Sequence, residues 1–159
     1  MDSKTITSIE SKSAVAGAVP SPFATLISAV ASEDMATVES LLADLVEWDM
    51  MPTSEIVHGK DKVMQWLKTG SADQKEPAVI TDLAVGNWGV FEYWNIGTVS
   101  KELIAFGNEE KWPWPVDPNR LVGQKYKVAQ CFLWRLDAAG KIDLIRQYLD
   151  TRSVWTQFK

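Results

Sequence analysis

At 159 residues, with 46% hydrophobic and 23% charged side chains, the chain has the length and usage of one globular domain, which argues against a disordered polymer or a fibrous repeat. A net charge of −5 without any Lys/Arg cluster argues against a phosphate-tracking surface, and so against nucleic acid as a partner. The single cysteine, Cys131, excludes an internal disulfide, and no stretch approaches the length of a membrane span, so a cytoplasmic protein away from membranes is expected.

Residues 1–20 are rich in Ser, Lys and Thr and lack a period, which predicts a mobile arm before a single domain over 21–159. Ser21-Pro22 is a helix start, because a hydroxyl caps free N–H groups and proline tolerates the first helical position. Phe23, Leu26, Ile27 and Val30 then share one face. A second helix start is expected at Ser32, with Glu33 and Asp34 in its first turn and Met35, Val38, Leu41 and Leu42 as its apolar stripe.

Leu45 to Met51 is strand-like and is ended by Pro52-Thr53-Ser54. His58-Gly59 leads into a third helix, Lys60 to Lys68, with Val63, Met64, Trp66 and Leu67 as its stripe and Gly70 as its end. Beyond Glu76 the pattern reads as strands: Ala78–Val85, Trp88–Val99, Leu103–Phe106, Tyr126–Leu136 and Ile142–Leu149, the last two joined by the turn Asp137-Ala138-Ala139-Gly140. Helices followed by a run of strands indicate an α+β fold. Long twisted strands curl, so the expected architecture is a strongly curved antiparallel sheet, a half-barrel cone, with about three N-terminal helices closing an internal pocket.

Gly107 to Gly123 does not fit regular strand or helix, since it holds Trp112-Pro113-Trp114-Pro115 and Asp117-Pro118. Trp112 and Trp114 either cap the core beneath a long loop or form a lid over the cavity. Cys131 sits in the apolar run Val128 to Leu136, as a buried reduced thiol would. One histidine, one cysteine and no clustered carboxylates do not supply a metal's ligand shell, and neither a nucleophile elbow nor a glycine-rich phosphate loop occurs.

Three passages carry a resemblance: Pro52 to Gly59 opening the third helix, Gly123-Gln124-Lys125-Tyr126 opening a long strand, and Gly140-Lys141-Ile142 running into Arg146-Gln147-Tyr148-Leu149-Asp150. With the element order they resemble the SnoaL-like polyketide cyclases and limonene epoxide hydrolases of the nuclear transport factor two-like superfamily, over residues 22–155. The resemblance implies a cone-shaped sheet around an apolar pocket, proton-transfer chemistry without cofactors, and a homodimer formed through the outer sheet face. In the epoxide hydrolases an Arg-x-Asp pair and an Arg-Asp-Tyr-Phe-Asp passage activate water. Here Gln147 stands where the aspartate after the arginine of that passage would, and Trp94 and Ile96, or Asn95 and Gly97, stand where the pair would. The epoxide hydrolase mechanism is therefore not expected, because a carboxamide orients a carbonyl but does not shuttle a proton.

The steroid isomerases of that superfamily place a base in a Val-Glu-Asp-Pro passage, similar to Val46-Glu47-Trp48-Asp49-Met50-Met51-Pro52. Anchored on that pattern, Asp49 and Met51 face inward; anchored on the epoxide hydrolase pattern, Trp48 and Met50 do. An inward Asp49 would be poorly solvated and suited to act as a base, while an outward one is an ordinary solvated aspartate. His58, the only histidine, is either a proton relay at the pocket mouth or a partner for loop carbonyls. By parity Glu92 shares a face with Trp94, so it either lines the pocket beside Trp94 or, as the leading expectation, pairs across the sheet with Arg146 or Lys127. Val128 and Gln130 share a face with Phe132 and Trp134, as Ile145 and Gln147 share one with Leu149; turned inward, the two amides meet either a ligand oxygen or each other.

The leading expectation is an enzyme that isomerises, cyclises, dehydrates or hydrates a small apolar oxygenated substrate. Asp49 would be its base, His58 its relay, and Gln130 and Gln147 would orient oxygens. Trp66, Trp94, Val128 and Ile145 would wall the substrate in under Trp112 and Trp114. The alternative is a non-catalytic small-molecule-binding or dimeric scaffold domain.

Overall fold

The computed structural model describes residues 19–70, 78–109, 111, 112, 114, 116–150, 152, 156 and 157. The arm expected over residues 1–20 therefore lies outside the described residues up to position 18.

Helix α1 (Pro22–Ala31) begins as its sequence requires: Ser21 Oγ accepts from the Ala24 N–H at 3.0 Å, and proline takes the first position. The Ser21 N–H donates to the Asp82 carboxylate at 3.1 Å, tying the helix start to the sheet. Ser32 does not open the second helix. It closes the first, its hydroxyl donating back to the Ser28 and Ala29 carbonyls, and Glu33 follows at φ 60°. Helix α2 (Met35–Leu41) is capped instead by Asp34, which accepts from the Thr37 N–H at 3.1 Å and the Thr37 hydroxyl at 2.6 Å. A carboxylate offers two acceptors where a serine offers one hydroxyl, so Asp34 outcompetes the earlier cap.

Strand β1 (Leu42–Met50) opens at Leu42, earlier than expected, and a short β2 (Glu55–His58) returns beside it before α3 (Lys60–Gly70). Strands β3 (Ala78–Val85), β4 (Trp88–Thr98), β5 (Lys125–Leu136) and β6 (Ile142–Leu149) follow the predicted spans closely. Leu103–Phe106 is not a strand. It lies in helix α4 (Lys101–Glu109), opened by Ser100 Oγ accepting from the Leu103 N–H at 3.0 Å and burying Ile104 and Phe106. A four-residue apolar run has no readable period, so the cap and the packing decide it.

The six strands form one sheet in the order β2-β1-β6-β5-β4-β3. All neighbours are antiparallel except β1 and β6, which run parallel with Trp48 opposite Ile145 and Met50 opposite Gln147, so the sheet is mixed. Its inner face carries Val46, Trp48, Met50, Phe91, Tyr93, Val128, Phe132, Trp134 and Ile145, all buried. Phe23 of α1 packs on Phe91, Phe132 and Trp134 with ring centroids 5.5, 5.0 and 6.4 Å away, and is fully buried. Gly89 makes room for Trp134, since a Cβ built there would lie 2.1 Å from the indole. A second apolar cluster, Val99, Ile104 and Leu121 with Trp114 and Tyr126, gathers at the far end of β4 and β5. Asp137 and Gly140, the latter at φ 76°, make the turn expected between β5 and β6.

Candidate functional site

Beside the main apolar cluster, to which Trp48 and Tyr93 belong, the inner face carries a band of neutral polar groups. Trp48 Nε1–H donates to Gln147 Oε1 at 3.0 Å, Gln147 Nε2 donates to Gln130 Oε1 at 3.3 Å, and the Tyr93 hydroxyl donates to the same Gln130 oxygen at 3.1 Å. Strand register brings these groups together: Gln130 lies opposite Tyr93 on β4, and Gln147 lies opposite Met50 and beside Phe132. Gln147 is 9% exposed, whereas Gln130 is only partly buried, so the band opens at Gln130. Its Nε2 has no hydrogen-bond partner among the described residues. Two residues beyond Tyr93 on the same face, Asn95 has a buried Oδ1 without a partner.

Val128 and Ile145 share this inner face, 4% and 0% exposed. Gln130 and Gln147 do bond each other, the outcome weighed beside a ligand contact. Trp66 lies apart, in an aromatic group with Phe106 (4.7 Å between centroids) and Trp112 (6.3 Å), which Trp114 extends. Trp114 Nε1–H donates to Asn108 Oδ1 at 2.9 Å, and both indoles press on Gly107, where a Cβ would meet Trp114 at 2.3 Å. Helix α4 thus seats the two tryptophans.

Three expected site residues are on the other face. Asp49 points away from the core, because β1 turns Trp48 and Met50 inward, and its Oδ2 lies 3.5 Å from Arg146 Nε. That contact is an ion pair by distance but is too poorly aligned for a hydrogen bond, since Arg146 Nε is left without one. The physical reason is parity: the apolar cluster that holds Phe132, 5.9 Å from Trp48 between ring centroids, and Ile145, opposite it on β6, rewards the register that buries the larger Trp48. His58, opposite Glu47 on β2, is exposed with Nδ1 3.5 Å from Glu47 Oε2. Trp94 lies on the outer face with Lys127 Nζ 4.4 Å above its ring, because β4 sends Phe91, Tyr93 and Asn95 inward. Glu92, also outward, accepts from the Thr81 hydroxyl at 3.2 Å instead of pairing with a cation.

The outer face holds the ionic groups. Arg135 and Asp143 form a two-bond pair at 2.9 and 3.0 Å that raises the guanidinium further. With Asp44, Glu47 and Arg146 they line an open groove of about 580 Å³. Cys131, also on the outer face, is partly buried, and desolvation first, then the neighbouring Glu92 charge, pushes its thiol up. Among the described residues no three His, Cys, Asp or Glu side chains converge as a metal site would need. Sequence reasoning missed Tyr93; the signal lay in β5, since an inward Gln130 requires its cross-strand partner to face inward too.

No protein-family model matches the chain, and no curated protein matches it by sequence. Solved structures do. A Catenulispora acidiphila protein described as having a ketosteroid isomerase-like fold, in complex with trimethylamine, superposes with a TM-score of 0.62 at 13% identity, over 88% of this chain and 93% of that one. Further matches are described as NTF2-like proteins. The chain has the nuclear transport factor two-like fold. Two Mycobacterium tuberculosis structures share this NTF2-like fold. One is an epoxide hydrolase of the limonene epoxide hydrolase-like type (TM-score 0.61, 16% identity, 86% and 85% covered). The other was crystallised in complex with estradiol-17β-hemisuccinate (TM-score 0.62, 15% identity, 83% and 93% covered). At these identities the likeness shows the NTF2-like fold and no activity.

Proposed function

We infer that the domain binds a small, largely apolar, oxygenated molecule against the inner face of its sheet. The observation that carries this reading is the uncharged polar relay of Trp48, Gln147, Gln130 and Tyr93 on the inner face, two of whose members belong to the main apolar cluster, with a polar atom of Gln130 left over for a guest. Trimethylamine and a steroid ester in complex with two proteins of this fold support it. Native mass spectrometry of the purified protein tests it: a bound small molecule is expected in the wild type and absent from Gln130→Trp, which fills the band. Retention of the same added mass by that variant would place the ligand elsewhere.

Catalysis is the second reading, favoured by the epoxide hydrolase among the structural matches. With Asp49 and His58 outward, the inner group able to donate a proton at this band is the Tyr93 hydroxyl, and a cofactor-free isomerase, cyclase or hydrolase would have to use it. Loss of turnover of an identified substrate in Tyr93→Phe, with binding retained, would support this reading over simple binding.

The outer face supports a homodimer. Trp88, Val90, Trp94 and Ile96 are 37%, 36%, 36% and 41% exposed in a row along β4, flanked by both charge signs in Glu92, Asp49, Lys127 and Arg146. A second copy related by a two-fold axis would cover the row and set cations against carboxylates. Sedimentation velocity should show a dimer that Trp94→Glu converts to monomer. Among the described residues no helix is long and apolar enough to cross a membrane, and a cytoplasmic setting is our reading of the free Cys131.

A further inference from the structure

We propose that Gln130 is a fixed hydrogen-bond donor that selects ligands carrying a neutral acceptor oxygen, a ketone or comparable carbonyl, over hydrocarbons and carboxylates. The inference rests on the interior-binding reading and adds the polarity of the site.

An isolated glutamine has no polarity, because its amide turns to show either end. Here the direction is set by a group that cannot turn. The indole of Trp48 is a donor only, so the atom of Gln147 that meets it at 3.0 Å is the oxygen. Reversing that amide would set two donors against each other inside a buried site. Gln147 is thereby obliged to send its NH2 toward Gln130, and the Gln130 atom 3.3 Å away is an oxygen for the same reason. The Tyr93 hydroxyl reinforces the assignment by donating to that oxygen at 3.1 Å. What remains of Gln130 is its NH2, unpartnered among the described residues and on the partly exposed side of the band.

The relay thus presents a donor, and it presents no charge. Lys127, Arg135 and Arg146 all project on the outer face, across the sheet from Gln130. A carboxylate on the inner face would lose its water without gaining a cation. A carbonyl oxygen loses less and gains the amide N–H bonds. Asn95 does not contribute to this demand, since its unpartnered amide has no lock and can show either end. Gln130 is the ligand-contacting residue; Gln147 and Trp48 are positioning residues that act through it.

Three probes of matched shape test the proposal: 2-acetylnaphthalene, 2-isopropylnaphthalene and 2-naphthoate, titrated by isothermal calorimetry into the full-length protein. The ketone is expected to bind about 3- to 10-fold more tightly than the hydrocarbon, the value of one neutral hydrogen bond, and the naphthoate more weakly than either. Gln130→Met, which keeps the length and removes the donor, should bring the ketone-to-hydrocarbon ratio to about one. Trp48→Phe, which removes the lock, should lower the same ratio without touching the ligand, a change that general loosening of the core would not produce.

An unchanged ratio in Gln130→Met, or tighter binding of naphthoate than ketone by the wild type, overturns the proposal and leaves the interior site standing. Failure of all three probes to bind the folded wild type overturns the interior-binding reading and the proposal together. Should Gln130→Met fail to fold, side-chain amide signals in ¹⁵N spectra decide the matter: the Gln130 NH2 pair must shift with 2-acetylnaphthalene and stay unmoved by 2-isopropylnaphthalene.

Discussion

Along β5 the residues Val128, Gln130, Phe132 and Trp134 face the helices, while Lys127, Cys131, Leu133 and Arg135 face the other way. Successive side chains of one strand therefore build two different chemistries. The inner set makes an aromatic core and one neutral relay of amides. The outer set gathers the ion pairs Arg135–Asp143 and Arg146–Asp49, with His58 beside Glu47, next to an exposed aromatic row. A sheet face closed off by helices tolerates polar groups that satisfy one another, and leaves ions where water reaches them. Asp49 and His58, the groups expected to do acid–base work, thus lie away from the interior, and the inward Asp82, opposite Phe91, is held by the Ser21 N–H at the start of α1, which is why binding is the stronger reading.

That contrast can be broken most severely in the core. Phe23→Ala should cost about 3–5 kcal/mol in urea unfolding, since the ring is fully buried against Phe91, Phe132 and Trp134. A loss below about 1 kcal/mol would mean that α1 does not plug the sheet. Gly89→Ala is next, at about 1–3 kcal/mol, because its methyl would enter the Trp134 ring. Pairing it with Trp134→Leu should recover part of the loss, and simple additivity of the two changes would refute the clash.

The polar band comes third. Gln147→Leu strands the Trp48 indole N–H in a site where Gln147 is 9% exposed, for an expected loss of about 1–3 kcal/mol and faster hydrogen exchange at that indole. On the outer face Asp49→Asn should change stability by less than about 1 kcal/mol, as partly exposed pairs do, and should leave probe binding unaltered. An altered probe affinity would couple the two faces and reopen the case for Asp49.

The smallest effect is at the α2 cap. Hydrogen bonds from the Thr37 side chain and backbone lower the Asp34 carboxyl from its ordinary 3.8. A lowered folded value means stabilisation that is present above 3.8 and lost as pH falls through the lower folded value. The acid limb of the melting curve against pH should therefore be shallower in Asp34→Asn than in the wild type, and identical limbs would show that the cap does not report on stability.

Much of this was readable from local signals. Ser21-Pro22, the stripe of α3 and the Asp137–Gly140 turn are decided by neighbours a few residues away, so helix start, helix face and hairpin followed directly from residue order. The alternation in β5 likewise placed Val128 and Gln130 together with Phe132 and Trp134. Leu103–Phe106 was misleading because four apolar residues have no period of their own, and the choice between Ser32 and Asp34 as a cap turned on how α1 ends.

What residue order left open was which side of each strand faces inward. The passage around Asp49 satisfies either parity locally, and only the pairing of Trp48 with Ile145 of β6, almost a hundred residues on, selects one. The same long-range register seats Tyr93 opposite Gln130 and brings Trp48 to Gln147, creating a relay that none of its members implies alone. The sequence by itself therefore determined most of the helices and strands and the run of amides and apolar residues along β5 and β6. Tertiary structure decided the direction of the relay, because a donor-only indole assigns an amide only when the two are brought into contact.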